Sequence, residues 1–95
     1  MRFAVYGKVK AGREDDFRAA LREFVPTVSA EEGTLQYEVC QGDEDPTSFV
    51  FFEAYRDEAA SKAHMESEAF KNFFGEIGPM LESPPLTLNV IESAK

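Results

Sequence analysis

Four segments of the chain have the residue pattern of β-strands. In Arg2–Val9 apolar and polar residues alternate, which is the period of a strand with one buried face. Ser48–Arg56 is apolar on both faces in its first half, and Leu86–Glu92 is the last predicted strand. Thr34–Gln41 is predicted to present three apolar residues on one face: Leu35, Tyr37 and Val39.

Between the first two strands, apolar residues recur at the spacing of a helix from Arg13 to about Ala30. Pro26 lies within this segment and predicts a kink or break near Phe24–Val25, because proline cannot donate the helical hydrogen bond. Gly33 is expected to stop the helix. The apolar residues of this stripe are Phe17, Ala20, Leu21, Phe24, Val25 and Val28.

Two further helices are predicted after the third strand. Asp57 can cap a short helix that runs to about Met65, and Ser67 can cap a second that ends near Gly78–Pro79. The second helix is expected to bury Phe70, Phe73, Phe74 and Ile77.

The resulting order, β-α-β-β-α-β, is the ferredoxin-like or split βαβ plan of an α+β fold. The 95 residues leave room for one domain, residues 1–95. The third strand would place Phe49, Phe51 and Tyr55 on one side and Val50, Phe52 and Ala54 on the other. Helices cover only one face of such a sheet, so the second apolar face predicts a homodimer joined through sheet faces.

Charge and composition limit the possible partners. The formal net charge is −8, and a surface of this sign repels phosphate backbones and anionic lipids. We therefore expect neither nucleic acid nor membrane as a partner. Cys40 is the only cysteine and His64 the only histidine, so no intrachain disulfide or structural zinc site is expected. The absence of a long apolar run or a leader pattern predicts a reduced, cytoplasmic protein.

The aromatic residues of the third strand also permit an RNA-binding interpretation. Phe49, Phe51 and Tyr55 have the period of base-stacking side chains in RNA-recognition domains of the same plan. The signature of those domains needs a basic residue and glycine before the aromatic positions, where this chain has Thr47–Ser48. Together with the acidic charge, this makes RNA binding a weak alternative.

Two segments resemble the antibiotic biosynthesis monooxygenase (ABM) family: EGTLQY at 32–37 and FEAYRDEAASKAH at 52–64. The family pattern is roughly E-G-x-x-x-Y, then E-x-W/Y, an acidic helix start and a histidine. The matching residues are Glu32, Gly33, Tyr37, Glu53, Tyr55, Asp57, Glu58 and His64. The order of predicted elements agrees with the family over residues 1–92.

The resemblance implies a dimeric α+β barrel with a pocket between the sheet and helices of each subunit. Family members include cofactor-free monooxygenases that act on quinols and polyketide phenols, haem-degrading enzymes and an isomerase of a phosphorylated autoinducer. The haem-degrading pattern is not matched, since Gly7, His64 and a phenylalanine near Phe74 stand where it has Asn, Trp and His. Tyr55 replaces the tryptophan of some polyketide oxygenases. The chain is most similar to the quinol monooxygenase and autoinducer-2 phosphate isomerase branches, which the motif does not separate.

Three residues are candidates for catalysis. Imidazole is the side chain best suited to proton transfer near neutral pH, so His64 is the candidate base, with a half-buried structural role as the alternative. Glu53 could orient His64, or could instead make a purely structural hydrogen bond. Tyr55 shares the strand face of Glu53 and could hold a substrate oxygen or simply pack in the core. The candidate substrate-binding residues are Tyr6, Tyr37, Phe51, Phe70 and Phe74.

These residues leave three functions open. The leading hypothesis is a cofactor-independent and metal-free monooxygenase of a quinol or phenol. The second is an isomerase of a small phosphorylated carbonyl compound, which would need cations such as Arg2, Lys8 and Arg56 near the phosphate. The third is a non-catalytic dimer that binds an apolar metabolite, because a fold of this kind hosts unrelated activities. Cys40 is predicted to lie on the second sheet face, without a catalytic role.

Overall fold

The computed structural model describes residues 1–90 and contains the predicted strands and helices in the predicted order. The strands are β1 (Arg2–Lys8), β2 (Thr34–Gln41), β3 (Ser48–Tyr55) and β4 (Leu86–Val90). The helices are α1 (Glu14–Ser29), α2 (Glu58–Glu66) and α3 (Glu68–Ile77), followed by a 3₁₀ turn at Gly78–Met80. The last two residues predicted for the fourth strand, Ile91 and Glu92, lie outside the described residues.

The four strands form one antiparallel sheet in the order β2-β3-β1-β4. This is the strand order of the ferredoxin-like plan, with the first and third strands at the centre. Val5 of β1 lies opposite Phe51 of β3 on one side and Thr87 of β4 on the other. The register places these three residues on the same face of the sheet, which we call the inner face.

The core lies between the inner face and the helices, and Phe17 of α1 is at its centre. The Phe17 side chain is 1% exposed, and its ring centroid lies 4.6 Å from that of Phe49 and 6.2 Å from that of Phe51. Phe73 of α3 stacks on Phe24 of α1 at 4.0 Å. One aromatic cluster therefore joins both long helices to the central strand.

Helix α1 continues through Pro26, so of the kink or break predicted near Phe24–Val25 the break does not occur. The amide of Ala30 donates to the carbonyl of Pro26 at 3.2 Å, which shows helical bonding on the far side of the proline. Phe24 precedes the proline and Val28 follows it, and both side chains are buried. Their burial in the core compensates for the single backbone hydrogen bond that proline cannot make.

The predicted inner face of β2 holds for Tyr37 and Val39 but not for Leu35. The pairing with β3 shifts register between Thr34 and Gln36, and Leu35 is 69% exposed. An irregularity of one residue changes the side of the sheet on which the preceding side chains lie. Alternation alone could not reveal it.

Both predicted helix caps are confirmed. The carboxylate of Asp57 accepts from the amide of Ala60 at 2.8 Å, and the hydroxyl of Ser67 accepts from the amide of Phe70 at 3.1 Å. These bonds satisfy amide groups that have no partner inside the first helical turn. They fix the start of α2, which carries His64, and of α3, which carries Phe70. No helix within residues 1–90 is both long enough and apolar enough to cross a bilayer.

The outer face of the sheet carries apolar side chains that helices do not cover. Residues at alternate positions of β1, β3 and β4 share this face through the strand register. Those with large exposed side chains are Tyr6, Phe52, Leu86 and Leu88. An apolar surface of this kind on a soluble protein is typical of an interaction site.

Replacing Gly33 with alanine should destabilise the protein more than the same change at Gly12. Both glycines have positive φ, +88° and +91°, so each replacement should cost about 1–2 kcal/mol of backbone strain. A Cβ atom on Gly33 would also lie 2.6 Å from the Cβ atom of Ala60, whereas one on Gly12 would meet open space. Urea denaturation of both variants measures the difference. Equal losses in the free energy of unfolding would show that the close approach of Gly33 to Ala60 does not add to the cost.

Candidate active site

A cavity of about 280 Å³ lies between the inner face of the sheet and the helices. Its wall is largely apolar and includes the aromatic residues Phe3, Phe17, Phe51, Phe70 and Phe74. Its polar residues are Tyr37, Glu53, Tyr55, Ser61, His64 and Thr87. A mostly apolar pocket with a few polar groups is the usual form of a small-molecule site.

His64 of α2 is the central polar residue of the cavity wall. The residue is 4% exposed, and its Nδ1 atom lies 2.9 Å from Oε1 of Glu31. Its Nε2 atom is buried and has no hydrogen-bond partner among the described residues. An unpaired buried polar atom is costly, so Nε2 is available to a ligand group in the cavity.

Aromatic rings hold the imidazole of His64 in place. Tyr55 stacks on it with ring centroids 5.3 Å apart, and Phe70 meets it edge-on at 5.1 Å. Tyr37 lies 5.7 Å away. These contacts come from α3 and two strands, so the ring is packed on several sides.

Glu53 and Tyr55 form a second polar pair in the same wall. The hydroxyl of Tyr55 donates to Oε1 of Glu53 at 2.6 Å. Burial raises the pKa of the Glu53 carboxyl, while the hydrogen bond from Tyr55 and the charge of His64 oppose the rise. Burial and the bond to Glu53 raise the pKa of Tyr55, and burial raises that of Tyr37. Both phenols therefore stay protonated at neutral pH and do not act as bases.

Replacing Glu53 with glutamine should make the stability less dependent on pH. Because the pKa of Glu53 is raised in the folded protein above its usual 4.5, the native state keeps a proton that the unfolded chain has lost. The contribution of this group to stability is present below pH 4.5 and is lost as pH rises through the folded pKa. E53Q should therefore gain stability relative to the wild type as pH rises from 4 to 7.

Urea unfolding at several pH values tests this, with the exposed Glu38 replaced by glutamine as the control on the same sheet. The difference in the free energy of unfolding between E38Q and the wild type should stay constant as pH changes. A constant difference between E53Q and the wild type would contradict the raised pKa.

The structure brings most of the predicted site residues together. The three candidate catalytic residues, His64, Glu53 and Tyr55, all line the cavity. The predicted substrate-binding residues Tyr37, Phe51, Phe70 and Phe74 line it as well.

Tyr6, which the sequence suggested as a substrate-binding residue, is not among the residues that line the cavity. It lies on the outer face, opposite Val50, and its hydroxyl is 3.0 Å from Oγ of Ser48. Strand alternation explains the position, because Tyr6 falls between Val5 and Gly7, which both face the cavity.

The carboxylate bonded to His64 is Glu31, whereas Glu53, the sequence candidate for this role, is bonded to Tyr55. Glu31 follows the end of α1 in a turn, where its amide donates to the carbonyl of Val28 at 3.0 Å. Its neighbour Glu32 is exposed and pairs with Arg56 at 3.5 Å. Strand and helix periodicity cannot place a turn residue against a distant helix. The available signal was the position of Glu31 directly before the matched Glu32–Gly33 motif.

Comparison with known proteins identifies the family. Residues 3–76 match the family model described as antibiotic biosynthesis monooxygenase. The chain belongs to the ABM family. It is 33% identical over 79 residues to the "Putative monooxygenase YcnE" of Bacillus subtilis, and the aligned part covers 83% of each protein.

Solved structures share the fold. The crystal structure of an antibiotic biosynthesis monooxygenase matches over 98% of both chains with a TM-score of 0.92 and 22% identity. PA3566 from Pseudomonas aeruginosa matches with a TM-score of 0.83 and 26% identity, over 96% of this chain and 93% of that one. The ABM-type α+β fold expected from the motifs is confirmed.

Within this ABM fold, the cations suggested for phosphate binding are not in the cavity wall. Arg2 and Lys8 occupy outer-face positions of β1, and Lys8 pairs with Asp45 at 3.4 Å. Arg56 pairs with Glu32 and Asp57, each at 3.5 Å. None of the described residues that line the cavity is a lysine or an arginine.

The residues 1–90 contain no group of three or more His, Cys, Asp or Glu side chains arranged to hold a metal ion. His64 and Glu31 form a pair, and Cys40 is exposed on the opposite face of the sheet.

Proposed function

We propose that this ABM protein is a cofactor-independent monooxygenase that oxidises a quinol or phenol with O2. The observation that carries the proposal is His64, which lines the largely apolar cavity and whose buried Nε2 atom has no hydrogen-bond partner among the described residues. In the proposed reaction this atom accepts the proton of a substrate hydroxyl. Membership of a family of monooxygenases supports the type of reaction.

The shape and lining of the cavity favour a small planar substrate. Its volume of about 280 Å³ lies just below the usual range of ligand sites, which begins at about 300 Å³. Phe51, Phe70 and Phe74 can contact the faces and edges of an aromatic ring. A substrate of one or two rings fits these dimensions better than a large polycyclic phenol.

Deprotonation prepares the substrate to react with O2. Transfer of the hydroxyl proton to Nε2 of His64 leaves an electron-rich anion, which gives one electron to O2 and becomes a radical. Superoxide and the radical combine at a ring carbon to form a peroxide anion, which takes the proton back from Nε2 of His64, and the resulting hydroperoxide loses water. For a quinol the balance is quinol plus O2 to hydroxyquinone plus water. One oxygen atom enters the product and the other leaves as water.

The second polar pair would orient the substrate. The hydroxyl of Tyr55 donates a hydrogen bond to Glu53. The lone pairs of the Tyr55 oxygen are therefore free to accept a hydrogen bond from a second substrate hydroxyl. The pair lies in the same cavity wall as His64. This arrangement favours substrates that carry two hydroxyl groups.

The lining of the cavity favours oxidation over isomerisation of a phosphorylated compound. A phosphate group needs cations or amide donors, and the polar side chains described in the wall are Tyr, Ser, His, Thr and Glu. The ionised form of Glu53 would repel a phosphate. A neutral quinol avoids this repulsion.

An oxygen electrode tests the proposal with purified protein and a panel of monocyclic and bicyclic quinols. The expected result is catalysed O2 uptake at one O2 per substrate, without hydrogen peroxide, because the second oxygen atom becomes water. Hydrogen peroxide at one equivalent would indicate simple oxidation to the quinone and contradict monooxygenation. No uptake above the uncatalysed rate on any member of the panel would favour a binding module.

We also propose that the outer face of the sheet joins two copies of the chain. Leu88 is 65% exposed on this face, next to Ala4 of β1. L88E should convert a dimer to a monomer, because a carboxylate buried without a partner opposes association. Light scattering measures the mass, with the exposed Ala63 of α2 replaced by glutamate as the control. A monomeric wild type, or a dimeric L88E, would contradict this proposal.

A further inference from the structure

We propose that Glu31 is the positioning residue of the site, which fixes the tautomer of His64 and so keeps Nε2 free of a proton. This inference deepens the proposed function, since a proton-free Nε2 is what the proposed base requires. It assigns a role to a residue that neither strand nor helix pattern predicted.

The contact between the two side chains determines the tautomer. Nδ1 of His64 lies 2.9 Å from Oε1 of Glu31. An ionised carboxylate only accepts hydrogen bonds, so Nδ1 must carry the proton and donate it. A neutral imidazole has one N–H group, which leaves Nε2 as a bare acceptor.

Among residues 1–90, no other side chain forms a hydrogen bond with the ring nitrogens of His64 and so competes with Glu31. The hydroxyl of Tyr55 donates its hydrogen bond to Glu53. Phe24 and Phe70 contact the imidazole only through their rings. No described residue makes a hydrogen bond to Nε2. Glu31 is thus the one side chain in the described part of the protein that is bonded to the ring nitrogens.

The side chains of His64 and Glu31 differ in their exposure to solvent, which fits their different roles. The side chain of His64 is 3% exposed and that of Glu31 is 24% exposed. Partial contact with water solvates the carboxylate of Glu31, while the imidazole of His64 is enclosed by the protein. When Nε2 accepts a proton, the adjacent carboxylate stabilises the resulting imidazolium, as in other carboxylate–histidine pairs.

The backbone around Glu31 holds its side chain in this direction. Its amide donates to Val28 and its carbonyl accepts from Thr34 at 3.2 Å, so both of its peptide groups are bonded. The next residue, Glu32, points to solvent with its side chain 90% exposed. Two adjacent glutamates therefore have the same charge and different surroundings, which provides a matched control.

The experiment records ¹⁵N spectra of histidine-labelled protein, which contain the ring signals of a single residue because His64 is the only histidine. At a pH where the ring is neutral, the wild type and E32A should both show the Nδ1–H tautomer. E31A should shift the population toward Nε2–H, since the acceptor for Nδ1 is gone. E31Q keeps a carbonyl acceptor and should retain more of the Nδ1–H form than E31A.

Kinetics on any quinol that the wild type oxidises provide the second readout. E31A should lower kcat/KM by roughly 10- to 100-fold, mainly through kcat, while E32A stays near the wild-type value. A wild type in the Nε2–H form, or an E31A spectrum identical to that of the wild type, would overturn the inference. The spectra need no substrate, so the expected tautomer change without any quinol oxidation would contradict the proposed function and leave the role of Glu31 intact.

Discussion

Replacing His64 with alanine should lower kcat/KM for a quinol substrate by about 10²- to 10⁴-fold, which is the usual contribution of a general base. The reason is that Nε2 is the acceptor that the cavity provides, while Tyr37 and Tyr55 both have raised pKa values and remain protonated. Steady-state O2 uptake measures the loss. Circular dichroism establishes that the variant is folded.

Two further variants separate proton transfer from changes in cavity shape. H64Q fills much of the imidazole volume but cannot accept a proton near neutral pH, so it should be nearly as inactive as H64A. F74L alters the aromatic wall and should mainly raise KM, since Phe74 contributes to binding in this account. Full turnover by H64A on a substrate of the wild type would show that His64 is not the base.

Replacing Phe17 with alanine should destabilise the protein by about 3–5 kcal/mol, the usual cost of removing a buried phenylalanine. Phe17 is 1% exposed and its ring contacts Phe49, Phe51 and Phe73. Its removal would leave a void between α1 and the central strand. For a chain of 95 residues this loss is a large part of the total stability.

Urea denaturation tests this prediction, with F17L as the companion variant. Leucine retains most of the apolar volume, so F17L should lose clearly less stability than F17A. The urea midpoints of both variants should fall, while the dependence of the free energy of unfolding on urea concentration should not change. A loss below about 1 kcal/mol for F17A would contradict the placement of Phe17 at the centre of the core.

The sequence was sufficient to predict the elements whose determinants are local. The limits of β2 agree with the prediction, and the caps at Asp57 and Ser67 lie where their side chains can bond the first amides of a helix. The side-by-side placement of Glu53 and Tyr55 follows from strand alternation. Only neighbouring residues determine these features.

Features that depend on contacts between distant residues could not be predicted from the sequence pattern. Pro26 stays within a helix because burial of Phe24 and Val28 outweighs a lost hydrogen bond, and burial is a property of the whole fold. The exposure of Leu35 results from a register shift against β3. The contact between Glu31 and His64 joins residues 33 positions apart, through a turn whose direction no periodic pattern describes.

The most direct test of the central claim is a reaction of the purified wild type and H64A with a quinol under ¹⁸O2, followed by mass spectrometry of the product. If the protein is a monooxygenase with His64 as its base, the wild type will form a hydroxyquinone that carries one labelled oxygen, and H64A will form it at least about a hundredfold more slowly. A product without the label, or equal labelling by the two proteins, would contradict the account.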